Sequence, residues 1–332
     1  MSDFIDFVSK NRLFILGAGF SAEAGIPMIG TLLSEAMDIF KCESRELFER
    51  VNNHAKICFQ KDYIDFKDFD AVDFAFFCTF LEYIELREYG GGERYYLSKA
   101  IAMNTPDEDK IPEMYCEFAK QLRKYDIVIT FNWDTLLETA LKKVGKTYAY
   151  CGFEDKEADV YIYKLHGSVN WRLGETLFLR KPNLTWESLN FKTGMMDNEI
   201  YYCNDLLNKN TWSQYAPFSE VEPFIVLPGY GKGFDLRHIA PLWYKPENAF
   251  AYTKNIYIIG FGLADDDYFV KSLFRHNLPC VEDYCKDLNK NLYIINPDEK
   301  VKNNFAFIEN SDYVKYIFEK FSMEHIEMMK ED

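Results

Sequence analysis

Nothing in this chain of 332 residues approaches the ~20 consecutive apolar residues that a helix needs to cross a bilayer. The N-terminus also lacks the basic flank and long apolar run of a secretory leader. These absences predict a cytoplasmic protein with no membrane partner. Zinc chemistry is poorly provided for as well. None of the eight cysteines (Cys42, Cys58, Cys78, Cys116, Cys151, Cys203, Cys280 and Cys285) belongs to a C-x-x-C pair, and most sit in apolar stretches, so buried reduced thiols are expected. Basic residues are scarce, 38 against 53 acidic, which leaves a net charge of −15. Broad binding to a phosphate backbone needs the opposite balance, so no direct nucleic-acid partner is expected, while a basic protein or a small molecule remains open. There is no internal repeat and no low-complexity linker, and histidine occurs only five times.

What is present is core material. Hydrophobic residues make up 48% and aromatic residues 17%, enough for a chain of this length to bury roughly 75% of its unfolded surface. Short apolar runs at Leu13–Leu16, Ile127–Thr130, Val160–Leu165, Phe224–Leu227, Ile256–Ile259 and Leu292–Ile295 are each followed by turn residues and predict buried strands. Helical spacing marks Asp134–Lys143, Asp266–His276 and a last helix over Tyr313–Met329. Strands alternating with helices predict an α/β, Rossmann-like, doubly wound, mostly parallel sheet. One domain spanning 1–332 is expected. It carries a helical insertion at about 31–125, including Ala71–Arg87 and Glu113–Arg123, and a small irregular insertion at about 172–222.

Small, polar and ionisable residues gather where the predicted strands end. The first strand runs into Gly17-Ala18-Gly19-Phe20-Ser21-Ala22-Glu23-Ala24-Gly25-Ile26-Pro27. Later strands end in Phe131-Asn132-Trp133-Asp134, His166-Gly167-Ser168, Gly260-Phe261-Gly262 and Asn296-Pro297-Asp298. Ligands of open α/β sheets bind in the crevice outside the carboxyl ends of the strands. Gly17 and Gly19 would let backbone approach a phosphate, and Ser21 could add a hydroxyl donor. A tight strand-to-helix turn without a ligand is the alternative for that motif taken alone.

Taken together these elements resemble the sirtuins. The first matches the sirtuin opening G-A-G-x-S-x-x-x-G-I-P, Thr130-Phe131-Asn132-Trp133-Asp134 is similar to T-Q-N-x-D, and Leu165-His166-Gly167 matches the strand end with the catalytic histidine. Gly260-Phe261-Gly262 resembles the later G-T-S turn, and Ile295-Asn296 the segment that holds the adenosine ribose. Two departures stand out. Met28-Ile29-Gly30 replaces the Asp-Phe-Arg of the deacylases, and the four zinc cysteines are missing. In this the chain resembles the zinc-free sirtuin-like domains of prokaryotic antiphage defence, which implies an NAD glycohydrolase. The resemblance implies NAD as substrate, no metal, and His166, Asn132 and Asp134 as catalytic residues. It implies Gly17, Ala18, Gly19, Ser21, Gly25, Ile26, Pro27, Gly260, Gly262 and Asn296 as the NAD-binding set.

Each role has a plain alternative. A strand-end histidine can be a hydrogen-bonded structural residue, although the reference pKa of about 6.5 suits a general base. Asn132 and Asp134 both suit a helix N-cap. Asp298 lies in what is also an ordinary Asn-Pro-Asp turn. The Gly229-Tyr230-Gly231-Lys232-Gly233 loop reads equally as a phosphate cover or a mobile connection. Asp265-Asp266-Asp267 is read as charge complementing a helix dipole rather than as a metal site. Ser168 has no G-x-S-x-G elbow and is not read as a nucleophile. Since a constitutive NAD hydrolase would kill its host, gating by homo-oligomerisation or by a partner is expected, an ATPase or an Argonaute-like protein being typical of the family. No sensor domain is expected after Asn296. An NAD-dependent protein deacylase, a catalytically silent NAD- or ADP-ribose-binding subunit and a purely structural subunit are the rival readings.

Overall fold

A computed structural model of the protein describes residues 12–84, 93–124, 126–150, 157–173, 186–188, 200–203, 223–229, 232–244, 249–250, 253–264, 267–285, 290–308 and 312–330. The chain opens with β1 (Arg12–Leu16) and a single turn, α1 (Ala18–Ser21). Helices α2 (Ile29–Glu43), α3 (Arg45–Phe59), α4 (Ala71–Ile84), α5 (Glu93–Asn104) and α6 (Glu113–Gln121) come next. Then follow β2 (Ile127–Thr130), α7 (Leu136–Lys143), β3 (Tyr148–Tyr150), β4 (Val160–Lys164) and β5 (Gly167–Leu173). Strands β6 (Trp186–Ser188), β7 (Ile200–Cys203) and β8 (Pro223–Ile225) lead to α8 (Lys232–Leu236) and α9 (Ala240–Tyr244). The chain finishes with β9 (Asn255–Ile259), α10 (Tyr268–Cys285), β10 (Asn291–Ile295), α11 (Val301–Asn304), β11 (Val314–Ile317) and α12 (Met323–Lys330).

Seven strands form one parallel sheet in the order β11-β10-β9-β1-β2-β4-β3. From β1 the chain winds outward through β2, β4 and β3, then crosses to β9 and winds outward the other way. The order therefore reverses between β1 and β9, as in a doubly wound Rossmann-like fold. Every residue of β1 is buried, because helices cover both faces of the sheet; this is why such strands read as unbroken apolar runs rather than alternating ones. Helix α6 lies against β1, with the Phe118 ring 5.3 Å from Phe14 and 5.2 Å from Phe20. Among the neighbouring helices, Phe40 of α2 stacks on Tyr96 of α5 at 4.5 Å.

At the amino ends of the strands, a buried guanidinium closes the sheet. Arg12 Nε and Nη2 donate to the carboxylate of Asp126, Nη1 donates to Met329 O at 2.9 Å, and Nη2 donates to Gln121 O at 2.8 Å. One side chain thus ties β1 to the residue before β2, to the end of α6 and to α12.

The structure corrects several sequence expectations. Phe224–Leu227 is not a strand of the parallel sheet. Pro223–Ile225 instead pairs antiparallel with β5 in a second sheet, ordered β6-β7-β5-β8. A short apolar run reports burial, not the partner that buries it. The described parts of 172–222 are strands of that same sheet. Val314–Ile317 forms β11 where a helix was expected, and the helix begins only at Met323. Its residues are half-exposed on a sheet edge, where a β-branched and aromatic run suits a strand. The three-residue β3 gave too little periodicity to be read. Asp266–His276 is replaced by a longer helix running from Tyr268 to Cys285, and Asp266 lies outside the described residues. Cys42 and Cys58 are exposed, while Cys78, Cys116 and Cys203 are buried. No helix among the described residues is long and apolar enough to cross a membrane.

Candidate active site

The carboxyl ends of β1 and β9 meet at the point where strand order reverses. Gly17 N donates to Ile259 O at 3.0 Å, Gly19 N to Gly260 O at 2.9 Å, and Gly260 N to Ile295 O at 2.9 Å. The two glycine turns are packed against each other. A Cβ at Gly17 would lie 2.6 Å from Gly260 O, and one at Gly260 would lie 2.3 Å from Phe20 N. Gly260 also has φ +61°, a conformation costly to any other residue. A side chain at Gly17 or Gly19 is excluded by the neighbouring strand end, which also takes both amide protons. The exposed members of the turn are Ala18, Glu23 and Gly25; Ile26 is buried beneath, and Pro27 is half-buried.

A short polar relay joins the ends of β1 and β2. Asn132 Nδ2 donates to Gly17 O at 2.9 Å and to Ser21 Oγ at 3.1 Å. The Ser21 hydroxyl also favours the charged form of the Asp134 carboxyl. Ser21 is 2% exposed, and its hydroxyl accepts from Asn132 beneath the turn. Asp134 Oδ1 accepts the Leu136 amide at 3.0 Å, which starts α7 two residues later than predicted. Burial pushes the Asp134 carboxyl up from its ordinary value, against the opposing effects of Lys164, the Leu136 amide and the Ser21 hydroxyl. Beneath it lies a second polar layer. The buried Lys164 ammonium donates to Asp134 O and to Glu138 Oε1, Tyr150 OH donates to Glu138 Oε1 at 3.0 Å, and Asn170 Nδ2 donates to Tyr150 OH at 3.0 Å.

His166 sits between the two sheets, immediately after β4 and before β5. Its carbonyl accepts the Val226 amide at 2.8 Å. Gly167 follows with φ +74°, and a Cβ there would lie 2.3 Å from Phe224 O, so the corner that aims the imidazole is fixed by close backbone packing against β8. The ring lies edge-on to Phe131 at 5.1 Å and 6.1 Å from Trp243. Its Nε2 is buried without a hydrogen-bond partner and faces Asp267 Oδ2 at 3.6 Å. Lys232 Nζ donates to the same Oδ2 at 2.6 Å. Burial, and then the Lys232 charge, hold the imidazole well below its usual pKa and therefore neutral. Sequence reasoning missed Asp267, Lys232, Phe131 and Trp243 as neighbours of this histidine. Asp267 was visible only as one of three acids, and only a fold brings Lys232 to it from the glycine loop.

The remaining predicted residues are spread along the same edge. Asn296 is nearly buried and accepts the Asp298 amide through Oδ1 at 2.9 Å, while Asp298 Oδ1 accepts the Lys300 amide, so both serve the turn after β10. Gly262 is exposed with open space beside it. Its carbonyl accepts Asn304 Nδ2 at 2.7 Å, and the next residue, buried Leu263, holds φ +50°. A non-glycine residue in that region stores strain that the surroundings must enforce. In the glycine loop, Gly229 packs on α4, where a Cβ would lie 2.3 Å from Thr79 Oγ1. Tyr230 and Gly231 lie outside the described residues, as do Asp265 and Asp266. Ser168 Oγ donates to Trp133 O at 3.3 Å. Among the described residues no group of three or more His, Cys, Asp or Glu is placed to hold a metal ion.

No protein-family model and no curated protein matches the sequence. The solved structures to which the chain is similar include a sirtuin from work on substrate affinity, at 15% identity over 100% of this chain and 98% of that one, with a TM-score of 0.44. Another is a Sir2 enzyme from work on mechanism and regulation, at 15% identity over 99% and 100% with a TM-score of 0.43. A third is Sir2 with a p53 peptide and NAD+, at 15% identity over 100% and 97% with a TM-score of 0.41. Likeness at this level leaves the site to be read from its own residues.

Proposed function

We propose that the chain binds NAD across the β9/β1 crevice and hydrolyses its nicotinamide–ribose bond, giving nicotinamide and ADP-ribose. The observation that carries this reading is His166, packed against Phe131 and Trp243, at the same sheet edge as Asn132, Ser21 and Asp134 and the interlocked glycine turns. Cleaving the glycosidic bond builds positive charge on the ribose while neutral nicotinamide leaves, so the reaction needs a held ribose and an activated acceptor more than it needs an acid. His166, already neutral, acts as the base on a ribose hydroxyl or on the attacking water. Asn132, tied to Gly17 O and Ser21 Oγ, is the amide that orients ribose or water. Asp134 accepts from the nicotinamide carboxamide.

The NAD-binding set is proposed to comprise Gly17, Ala18, Gly19, Ser21, Gly25, Ile26, Pro27, Gly260, Gly262 and Asn296. Gly17, Gly19 and Gly260 shape the crevice by packing, and Ser21 acts through Asn132 and Asp134. Activity is proposed to be gated by self-assembly or by a partner protein, in a cytoplasmic antiphage role. The chain is proposed to form one unit, 1–332, with the helical insertion beside the sheet.

The test is NAD consumption by the purified protein beside His166→Ala, with products resolved by chromatography. Release of nicotinamide and ADP-ribose without a peptide, reduced about 10²- to 10⁴-fold in the variant, is expected for a lost general base. Turnover only with an acetylated peptide would replace the hydrolase with a deacylase. Binding without turnover, alone and with candidate partners, would leave a nucleotide-binding subunit.

A further inference from the structure

We propose that Asp267 is a positioning residue for His166, holding the imidazole as its Nε2–H tautomer so that Nδ1 is the basic atom, and that Lys232 sets how firmly it does so. The proposal rests on His166 being the base of the reaction above.

The geometry comes from three separate elements. Asp267 lies at the start of α10, Lys232 opens α8, and His166 follows β4. The two oxygens of Asp267 have different partners. Oδ1 accepts the Val270 amide at 3.1 Å, an N-cap that fixes the carboxylate plane. Oδ2 points away from the helix, accepts Lys232 Nζ at 2.6 Å and faces His166 Nε2 at 3.6 Å. Nε2 is the buried nitrogen without another partner. The side chain keeps 13% exposure, and that exposure belongs to other parts of the ring than Nε2. A carboxylate can only accept, so the neutral imidazole facing it carries its proton on Nε2 and its lone pair on Nδ1. Among the described residues the charged groups facing the ring are Lys232 from α8 and Asp267 from the start of α10, while Phe131 after β2 and Trp243 of α9 present uncharged aromatic rings.

Lys232 takes the oxygen that the imidazole also faces. While the ammonium is at 2.6 Å, the carboxylate is largely neutralised and the histidine remains at 3.6 Å. Without the ammonium, Oδ2 is free to close on Nε2. The segment bearing Lys232 is itself anchored to the helical region, because Arg94 of α5 donates to Asp235 Oδ2 of α8 at 2.9 Å and to Ile225 O at 3.3 Å. The position of α8 therefore decides the state of the Asp267 carboxylate.

Asparagine at position 267 separates this role from a merely structural one. Its side-chain oxygen can keep the cap on Val270 N, since Asn caps as well as Asp, but its NH2 then faces Nε2 and forces the proton onto Nδ1. The experiment uses the full chain labelled with ¹⁵N-histidine: wild type, Asp267→Asn and Lys232→Met, with His166→Ala to assign the signal. NMR reads the tautomer of His166 and its titration, and NAD turnover is measured as kcat and KM. Expected results for Asp267→Asn are inversion of the tautomer and a fall in kcat of about 10²-fold or more with little change in KM, as for other misplaced imidazole protons. In Lys232→Met the His166 titration and the acid limb of the rate profile should move to higher pH by about one unit. An unchanged tautomer in Asp267→Asn, or a titration unmoved in Lys232→Met, overturns the proposal. The NMR arm stands whether or not the wild type turns over NAD, so a failed hydrolase reading and a failed Asp267 role are told apart.

Discussion

The two ends of the parallel sheet are built on opposite plans. At the amino ends, each guanidinium nitrogen of Arg12 meets an acceptor, in Asp126, Met329 O or Gln121 O, and both charged side chains are 1% exposed. At the carboxyl ends, His166 Nε2, Trp243 Nε1 and Trp133 Nε1 are buried without partners, the Asp134 carboxyl is pushed up by burial, and Leu263 is held at φ +50°. Each buried unpaired polar group costs about 1–3 kcal/mol. One end is tied together by a charged hydrogen-bond cluster, although Gln121 Oε1 there is buried without a partner, and the other carries a histidine and a carboxyl whose charged forms burial disfavours.

That contrast can be broken from the stable side. Arg12→Met keeps the buried stem but strands the Asp126 carboxylate in the interior. A loss of about 3–5 kcal/mol is expected in urea unfolding, with NAD turnover per folded molecule unchanged. Turnover falling out of proportion to the folded fraction would show that the two ends are not independent. A smaller effect is expected at the switch point itself. Gly260→Ala places a methyl 2.3 Å from Phe20 N at φ +61° and should cost on the order of 3 kcal/mol. Gly262→Ala, with nothing within 4 Å of its Cβ, should stay within about 0.5 kcal/mol. Equal stability of the two variants would remove the interlocked turns from the account.

How much of this was legible beforehand follows the same division. The strands β1, β2, β9 and β10 could be read because burial on both faces makes them short and largely apolar, and β4 because its buried residues alternate with half-buried tyrosines. Their carboxyl ends could be read because turn residues follow each of them. Gly17 and Gly260 were visible as glycines, but not that each exists to admit the other, which is a contact between residues 243 positions apart. Ser21 read as a donor to ligand; that its hydroxyl accepts from Asn132 could be seen only in the fold. The Asp267–Lys232 pair could not be found at all, since it joins a helix cap to a glycine-loop lysine and neither carries a periodic signal. Likewise β8 read as a parallel strand because an apolar run does not name its neighbour.

The finest difference between the ends should appear on acidification. His166 is buried neutral, with its folded pKa held below the unfolded value of about 6.5, first by burial and then by Lys232. Below that pH the unfolded chain takes up a proton that the folded chain refuses, so folding loses stability as pH falls from about 6.5 toward the depressed folded value. His238 and His325, also held down chiefly by burial, push the same way. Asp134 and Asp235, pushed up by burial, act in the opposite sense, but in a window that begins near the ordinary carboxylate range. Comparing wild type with His166→Gln at each pH isolates the one imidazole, because the other groups are common to both. Between pH 7.5 and 5.5 the wild type should lose about 1 kcal/mol more unfolding free energy than the variant. Parallel curves would mean that His166 is as easily protonated in the folded protein as in the unfolded chain. The carboxyl end would then hold no histidine kept neutral by its surroundings, and the difference between the two ends would reduce to packing.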